Sequence, residues 1–206
     1  HCPAPSPTKG GERIADAMAL CGLLLTAAVI AVLIEMRTAE RQKRKTCLLH
    51  VVFPCLLVLL LYIRVSDPLF VLRGMALFFC LYTASLQDLY NREVDDCLWV
   101  MVLLSALIRF EPAEILIMLA GMFIAAFPLF AASILKNGSI GGADIKLMAA
   151  VGFFFGPRLG LTALIVGLVM GVVGICITRK IKKEPVNTSF PLVPFLAAGS
   201  YLACLL

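Results

Sequence analysis

The chain has 206 residues, of which 61% are hydrophobic and only 15% charged, with a formal net charge of +5. Its mean hydropathy of +0.99 lies far above what a soluble core of this size requires, which excludes an ordinary water-soluble domain and points to repeated crossing of a bilayer by helices. The positive balance does not indicate nucleic acid, because Lys and Arg sit in short clusters between apolar runs, where they set topology and touch anionic lipid.

In chain order, residues 1–13 are expected to form a flexible amino-terminal segment, and Ile14 to Glu35 the first span. That apolar run is as long as a membrane crossing and lacks a small-residue cleavage site, so no cleaved secretory signal is expected. The following "MRTAERQKRKT" is rich in basic residues, which marks a cytoplasmic loop and puts the amino terminus outside. Spans from Cys47 to Ser66 and from Pro68 to Gln87 come next, joined by "SDP" on the outer side and followed inside by the polar "DLYNREVDD". Cys97 to Ile108 goes out, "RFEP" turns, and Ala113 to Leu135 returns to the inner "KNGSIGGADIK". Ile145 to Phe155 leads out to "GPR", Leu159 to Thr178 returns to the basic "RKIKKEPVNTS", and Phe190 to Leu206 exits.

The fold class is therefore all-α: a polytopic integral membrane protein of about eight transmembrane helices, read as one membrane-embedded domain over 1–206 with both termini outside. Most of the 18 Lys and Arg residues fall on the inner segments, the bias that the positive-inside rule demands. Two expected spans are short. Cys97 to Ile108 and Ile145 to Phe155 reach only about 18 and 17 Å at a helical rise of roughly 1.5 Å per residue, against a hydrocarbon core about 30 Å thick. Each directly follows an inner polar segment, so those polar residues are expected to enter a wet, locally thinned pocket.

Asp88 and Asp144 share the cytoplasmic side of this topology. An ionisable group at membrane depth costs about 2.5 to 3.5 kcal/mol on insertion scales, so such residues tend to be retained for a reason. If the two approach closely, like charges cannot both ionise easily and the pair holds one proton between them. One carboxylate can then draw a proton from an attacking water while its partner donates to the scissile carbonyl. The plainer readings are that Asp144 caps the helix it precedes and that Asp88 is a loop residue. Gly138, Gly141 and Gly142 read either as a flexible turn or as room for an extended peptide. Lys146 lies two residues past Asp144, so on a helix it points away from it, toward the interface. Eight cysteines form no C-x-x-C pair, and neither His1 nor His50 has ligand spacing to other donors, so no metal is assigned. Spacing alone leaves the protease reading and the plain ones open.

The segment "GGADIKLMAAVGFFFG" resembles the G-x-G-D-x-K-L motif of type IV prepilin peptidases and of the related archaeal preflagellin peptidases, which are GxGD-type membrane aspartic proteases. "DLYNREVDD" resembles their first-aspartate motif, D-x-x-x-x-x-I-P-N, and "FPLVPFLAAGSYLA" is similar to the Pro-rich start of their last helix. The resemblance runs from Asp88 to the end of the chain in the family's order. It implies catalytic aspartates at Asp88 and Asp144, a site shaped by Gly141, Gly142, Ala143 and Lys146, and a wall formed around Pro191 and Pro194. Two positions depart from the pattern: Ala143 stands where the family has glycine, and Asp95-Asp96 where it has Pro-Asn, with Val94 in the Ile place. Asp95 and Asp96 lie outside the matched spacing and are expected to take no part in the chemistry.

What the resemblance implies is a membrane endopeptidase of the bacterial cytoplasmic membrane, with no organic cofactor or metal for the catalytic pair. Its partners would be prepilin-like precursors and membrane lipid, with no nucleic acid. The paired cysteines of longer bacterial members, which also methylate the new amino terminus, are not found here, so the compact form is expected and methylation stays open. The competing readings are a small transporter that relays protons or cations through buried aspartates, and an inactive scaffold of a pilus or secretion assembly. The first predicts inverted halves, and no matching hydropathy symmetry is visible.

Overall fold

The computed structural model describes residues 22, 26, 29, 56, 59–63, 68–108, 110–135, 141–182 and 190–206. The expected spans Ile14 to Glu35 and Cys47 to Ser66 lie outside these apart from isolated helical positions, as do the basic loop between them and residues 1–13. The chain divides into two compact units, His1–Leu72 and Arg73–Leu206, and both Asp88 and Asp144 belong to the second.

All regular structure among the described residues is helical. In hydrocarbon each backbone N–H and C=O must find its partner within the segment, which a helix achieves and an open strand does not. Helix α1, Pro68–Asn91, starts on a proline whose fixed φ suits a first turn. It runs one turn past the expected end at Gln87 and is closed by Arg92, whose φ of 57° is left-handed. The Arg92 N–H donates to the Asp88 carbonyl at 3.2 Å. Helix α2, Asp96–Ala106, buries Leu98, Val102, Ser105 and Ala106 at helical spacing. A short 3-10 turn, Pro112–Glu114, leads into α3, Ile115–Leu135.

Helix α4, Gly142–Lys182, is interrupted at Gly156 by φ 76° and ψ −177°, a conformation that only glycine adopts without strain, followed by Pro157. The chain reverses there. A Cβ built on Gly160 would lie 2.9 Å from the Gly152 Cα, whereas eight residues of straight helix would separate them by about 12 Å. The two limbs, 142–155 and 157–182, match the expected spans on either side of "GPR". Helix α5, Val193–Leu205, closes the chain.

These helices meet through small residues, the usual way to bring helices close when lipid removes the hydrophobic drive between them. Gly121 of α3 and Gly152 of the first α4 limb face each other's backbone, and Gly199 of α5 lies against Ala163 and Gly167 of the second limb. Around these contacts Ala125, Leu129, Leu147, Val151, Leu164 and Leu196 form one buried apolar cluster. Arg73 fastens α1 to the turn of the hairpin. Its guanidinium donates to the Phe154 carbonyl at 2.8 Å and lies 4.4 Å from the centroid of that ring.

Outward faces are apolar. Leu116, Ile117, Phe123 and Phe127 of α3 and Val169, Val172 and Val173 of α4 are exposed, as side chains that face lipid would be. Among the described residues three helical stretches are long and apolar enough to cross a membrane: Leu69–Asn91, Pro112–Leu135 and Gly142–Lys180, the last of which includes the reversal at Gly156. Together with the apolar surface they point to a multi-pass membrane protein, while the expected count of about eight spans is not established by these three.

Candidate active site

Asp88 sits in the last turn of α1, on the helix and not in a loop. The carbonyl end of a helix dipole disfavours a carboxylate, so this placement calls for a compensating partner. The partner is the start of α5. Leu192 holds its N-cap position and Pro194 its first turn, while Phe195 and Leu196 donate to the Leu192 carbonyl at 3.1 and 3.2 Å. Val193 is the first residue of the helix, where no intrahelical acceptor exists, so its amide is left as a donor. It donates to Asp88 Oδ2 at 3.0 Å. The Leu192 amide and the charge of Arg92 also act on this carboxylate. Asp88 thus caps a helix that belongs to the far end of the chain.

Asp144 is the third residue of α4, one turn beyond Gly141. Its own N–H donates to the Gly141 carbonyl at 3.1 Å, and the Gly141 amide bonds back to its carboxylate. The carboxylate-to-amide bond is the second half of a capping box, with Gly141 and not Asp144 in the capping position and no side chain there to supply the first half. A Cβ on Gly141 would lie 3.3 Å from Asp144 Oδ2, so glycine gives the carboxylate room; nothing lies within 4 Å of the same position on Gly142. Ala143 is half-buried beside them. Gly138 lies outside the described residues.

The charge of Asp88 acts on Asp144. Two carboxylates from different helices therefore share one environment, which also includes Gly141 and the Leu192-Val193 amides. Lys146 is not directed at either. Its Nζ lies 2.7 Å from Asp96 Oδ1 and holds that exposed carboxyl below the usual carboxylate range by hydrogen bond and charge. Pro191 and Pro194 flank Leu192 and Val193 and are half-buried. The group this segment offers to Asp88 is an amide donor.

Two contacts near the pair escaped the sequence reading: the Val193 amide on Asp88, and the exchange between Gln87 and Asp95, a carboxylate expected to stand outside the chemistry. For Val193 a signal existed, since Pro194 marks a helix start, where the first amides have no intrahelical acceptor. For Gln87 and Asp95 none did. Gln87 Nε2 donates to Asp95 Oδ2 at 2.7 Å, and the Asp95 N–H donates to Gln87 Oε1 at 2.9 Å.

A separate cavity of about 720 Å³ lies between α3 and α4, lined by Phe123, Phe127, Pro128, Phe130, Ile145 and Leu161 among other apolar residues. It contains neither aspartate and suits hydrocarbon. Among the described residues no group of His, Cys, Asp and Glu is arranged to hold a metal ion.

Residues 75–176, which include both aspartates, match the type IV leader peptidase family. Over 75 residues the chain is 35% identical to the prepilin leader peptidase/N-methyltransferase of Bacillus subtilis (strain 168). That match covers 34% of this chain and 29% of the relative, so less than a third of the relative's length is spanned. No solved structure matches the chain.

Proposed function

We propose, from the match of residues 75–176 to the type IV leader peptidase family, that this chain is a membrane aspartic endopeptidase with Asp88 and Asp144 as its catalytic pair. Its substrates are type IV prepilin-like precursors, cleaved at the cytoplasmic face of the bacterial inner membrane. What supports the reading is that residues 75–176, which hold both carboxylates, match the family, and that these half-buried groups stand at the ends of separate helices, near enough for the charge of Asp88 to act on Asp144.

In this reading the pair holds one proton. The ionised carboxylate takes a proton from a water as that water attacks the scissile carbonyl, and the protonated partner donates to the carbonyl oxygen. Open space at Gly142 and the absence of a side chain on Gly141 leave room for an extended peptide backbone to approach Asp144. A precursor with a short basic leader in the cytoplasm and an apolar helix in the bilayer would present its junction where the helices of this protein end in polar residues. The proposal extends to proteolysis alone.

The test is co-expression of a prepilin with the wild-type protein and with Asp144→Asn, comparing cleaved and uncleaved precursor at matched membrane levels of enzyme. Wild type is expected to process the precursor and Asp144→Asn to leave it intact. Processing by both would reduce Asp144 to part of a helix cap.

A further inference from the structure

The link between α1 and α2 is fastened along its length. Arg92 bonds back to the Asp88 carbonyl, and Val94 packs against the buried apolar cluster. Asp95 exchanges two hydrogen bonds with Gln87, the residue before Asp88, at 2.7 and 2.9 Å. Asp96 pairs at 2.7 Å with Lys146, two residues past Asp144. Consecutive carboxylates of one short segment thus grip the two helix ends that carry the candidate catalytic pair. The geometry points to Asp95 and Asp96 as positioning residues: together with Gln87 and Lys146 they set the spacing between the aspartate-bearing ends of α1 and α4.

This inference rests on the peptidase reading and goes beyond it, because neither residue touches Asp88 or Asp144 through any of these bonds. Stability is a poor reason for the arrangement. The Asp96 and Lys146 side chains are 70% and 49% exposed, and such pairs add little to the folded state. Rate is more sensitive than stability to the same loosening, since a reacting group displaced by about 1 Å can cost roughly a hundredfold. A clamp therefore predicts variants that fold normally and react slowly.

The experiment uses the full chain in liposomes with a complete prepilin-like precursor. Gln87→Glu sets two carboxylates face to face, and Lys146→Met removes the cation. Each is expected to lower kcat by about three- to tenfold, with KM within about twofold and the unfolding midpoint unchanged. Two exchanges should restore the wild-type rate to within about twofold. Gln87→Glu with Asp95→Asn rebuilds the side-chain hydrogen bond with donor and acceptor swapped and keeps the backbone N–H bond of residue 95, and Asp96→Lys with Lys146→Asp rebuilds the ion pair. Single variants at the wild-type rate, exchanges no faster than the singles, or a rate loss matched by a lower midpoint would overturn the clamp. A second readout stands apart from cleavage: spin labels at Leu89 and Gly142 report the spacing of the two helix ends. The distance distribution is expected to broaden in Lys146→Met and to narrow again in the charge exchange. An unchanged distribution overturns the clamp, whereas absence of cleavage by wild type with a responsive distribution overturns the peptidase reading alone.

Discussion

Where α3 and α5 cross the limbs of α4, the sequence supplies glycine, and backbone meets backbone at Gly121, Gly152, Gly167 and Gly199. Where α1, α4 and α5 end, it supplies carboxylates, amides and a lysine, and the contacts are hydrogen bonds to Asp88, Asp95 and Asp96. The first region has no slack, because there is no side chain to rotate out of the way. The second is open at Gly142 and exposed at Lys146. A substitution in the glycine region should therefore remove the protein, and one at the polar end should spare the protein and remove its chemistry.

The sharpest way to break the comparison is Gly152→Leu. A Cβ there already meets the Gly121 backbone and would lie 2.6 Å from the Ala125 Cβ, so the helices must part. Overpacking against backbone is expected to cost about 3 kcal/mol or more, read as loss of folded protein in membranes. Wild-type amounts of stable protein would mean that the crossing is looser than the contacts imply.

At the polar end the next largest effect is expected from Val193→Pro. Proline at this first helical position removes the 3.0 Å amide donor of Asp88, but it also replaces a fully buried side chain and follows Leu192, whose αR backbone is disfavoured before proline. A hydrogen bond to a charged group is worth about 1.5 to 3 kcal/mol, so precursor cleavage per folded molecule should fall roughly tenfold to hundredfold, beyond any fall in protein level. Cleavage that falls only in step with the protein level would show that the amide does not serve Asp88.

Gly156→Ala tests the hairpin turn itself. The φ of 76° with ψ near 180° excludes side chains without strain, and a loss of about 1 to 3 kcal/mol in unfolding free energy is expected. Gly142→Ala is the matching control with the smallest effect. Nothing lies within 4 Å of its Cβ position, so stability should stay within about 0.5 kcal/mol.

The same contrast explains what was legible in the sequence. The helices were, because their apolar runs and punctuation are local: "GPR" marks the reversal at Gly156, and the expected Ala113 to Leu135 span is found as the 3-10 turn and α3. Asp144 stood out because a carboxylate among glycine and apolar residues is a local anomaly, whereas Asp88, in a polar stretch, was singled out by its motif spacing. Their electrostatic contact was not legible, nor was the register of Gly121 on Gly152, since both depend on how distant segments pack. Lys146 illustrates the limit. Helical geometry turned it away from Asp144, as found, but could not name Asp96, fifty residues earlier in the chain, as its partner. The Val193 amide was hidden because a backbone donor carries no residue type, and only the proline after it hints that it is unshared.

The central claim is that Asp88 and Asp144 work as one unit, and a double-mutant comparison tests it most directly. Cleavage rates of a prepilin by Asp88→Asn, Asp144→Asn and the double variant, at verified membrane levels, are the measurement. Each single change should remove nearly all activity, and the double should be little worse than either, because residues that act together lose their contribution together. Residual rates in the singles that multiply to give the double, or substantial cleavage by either single, would contradict the account.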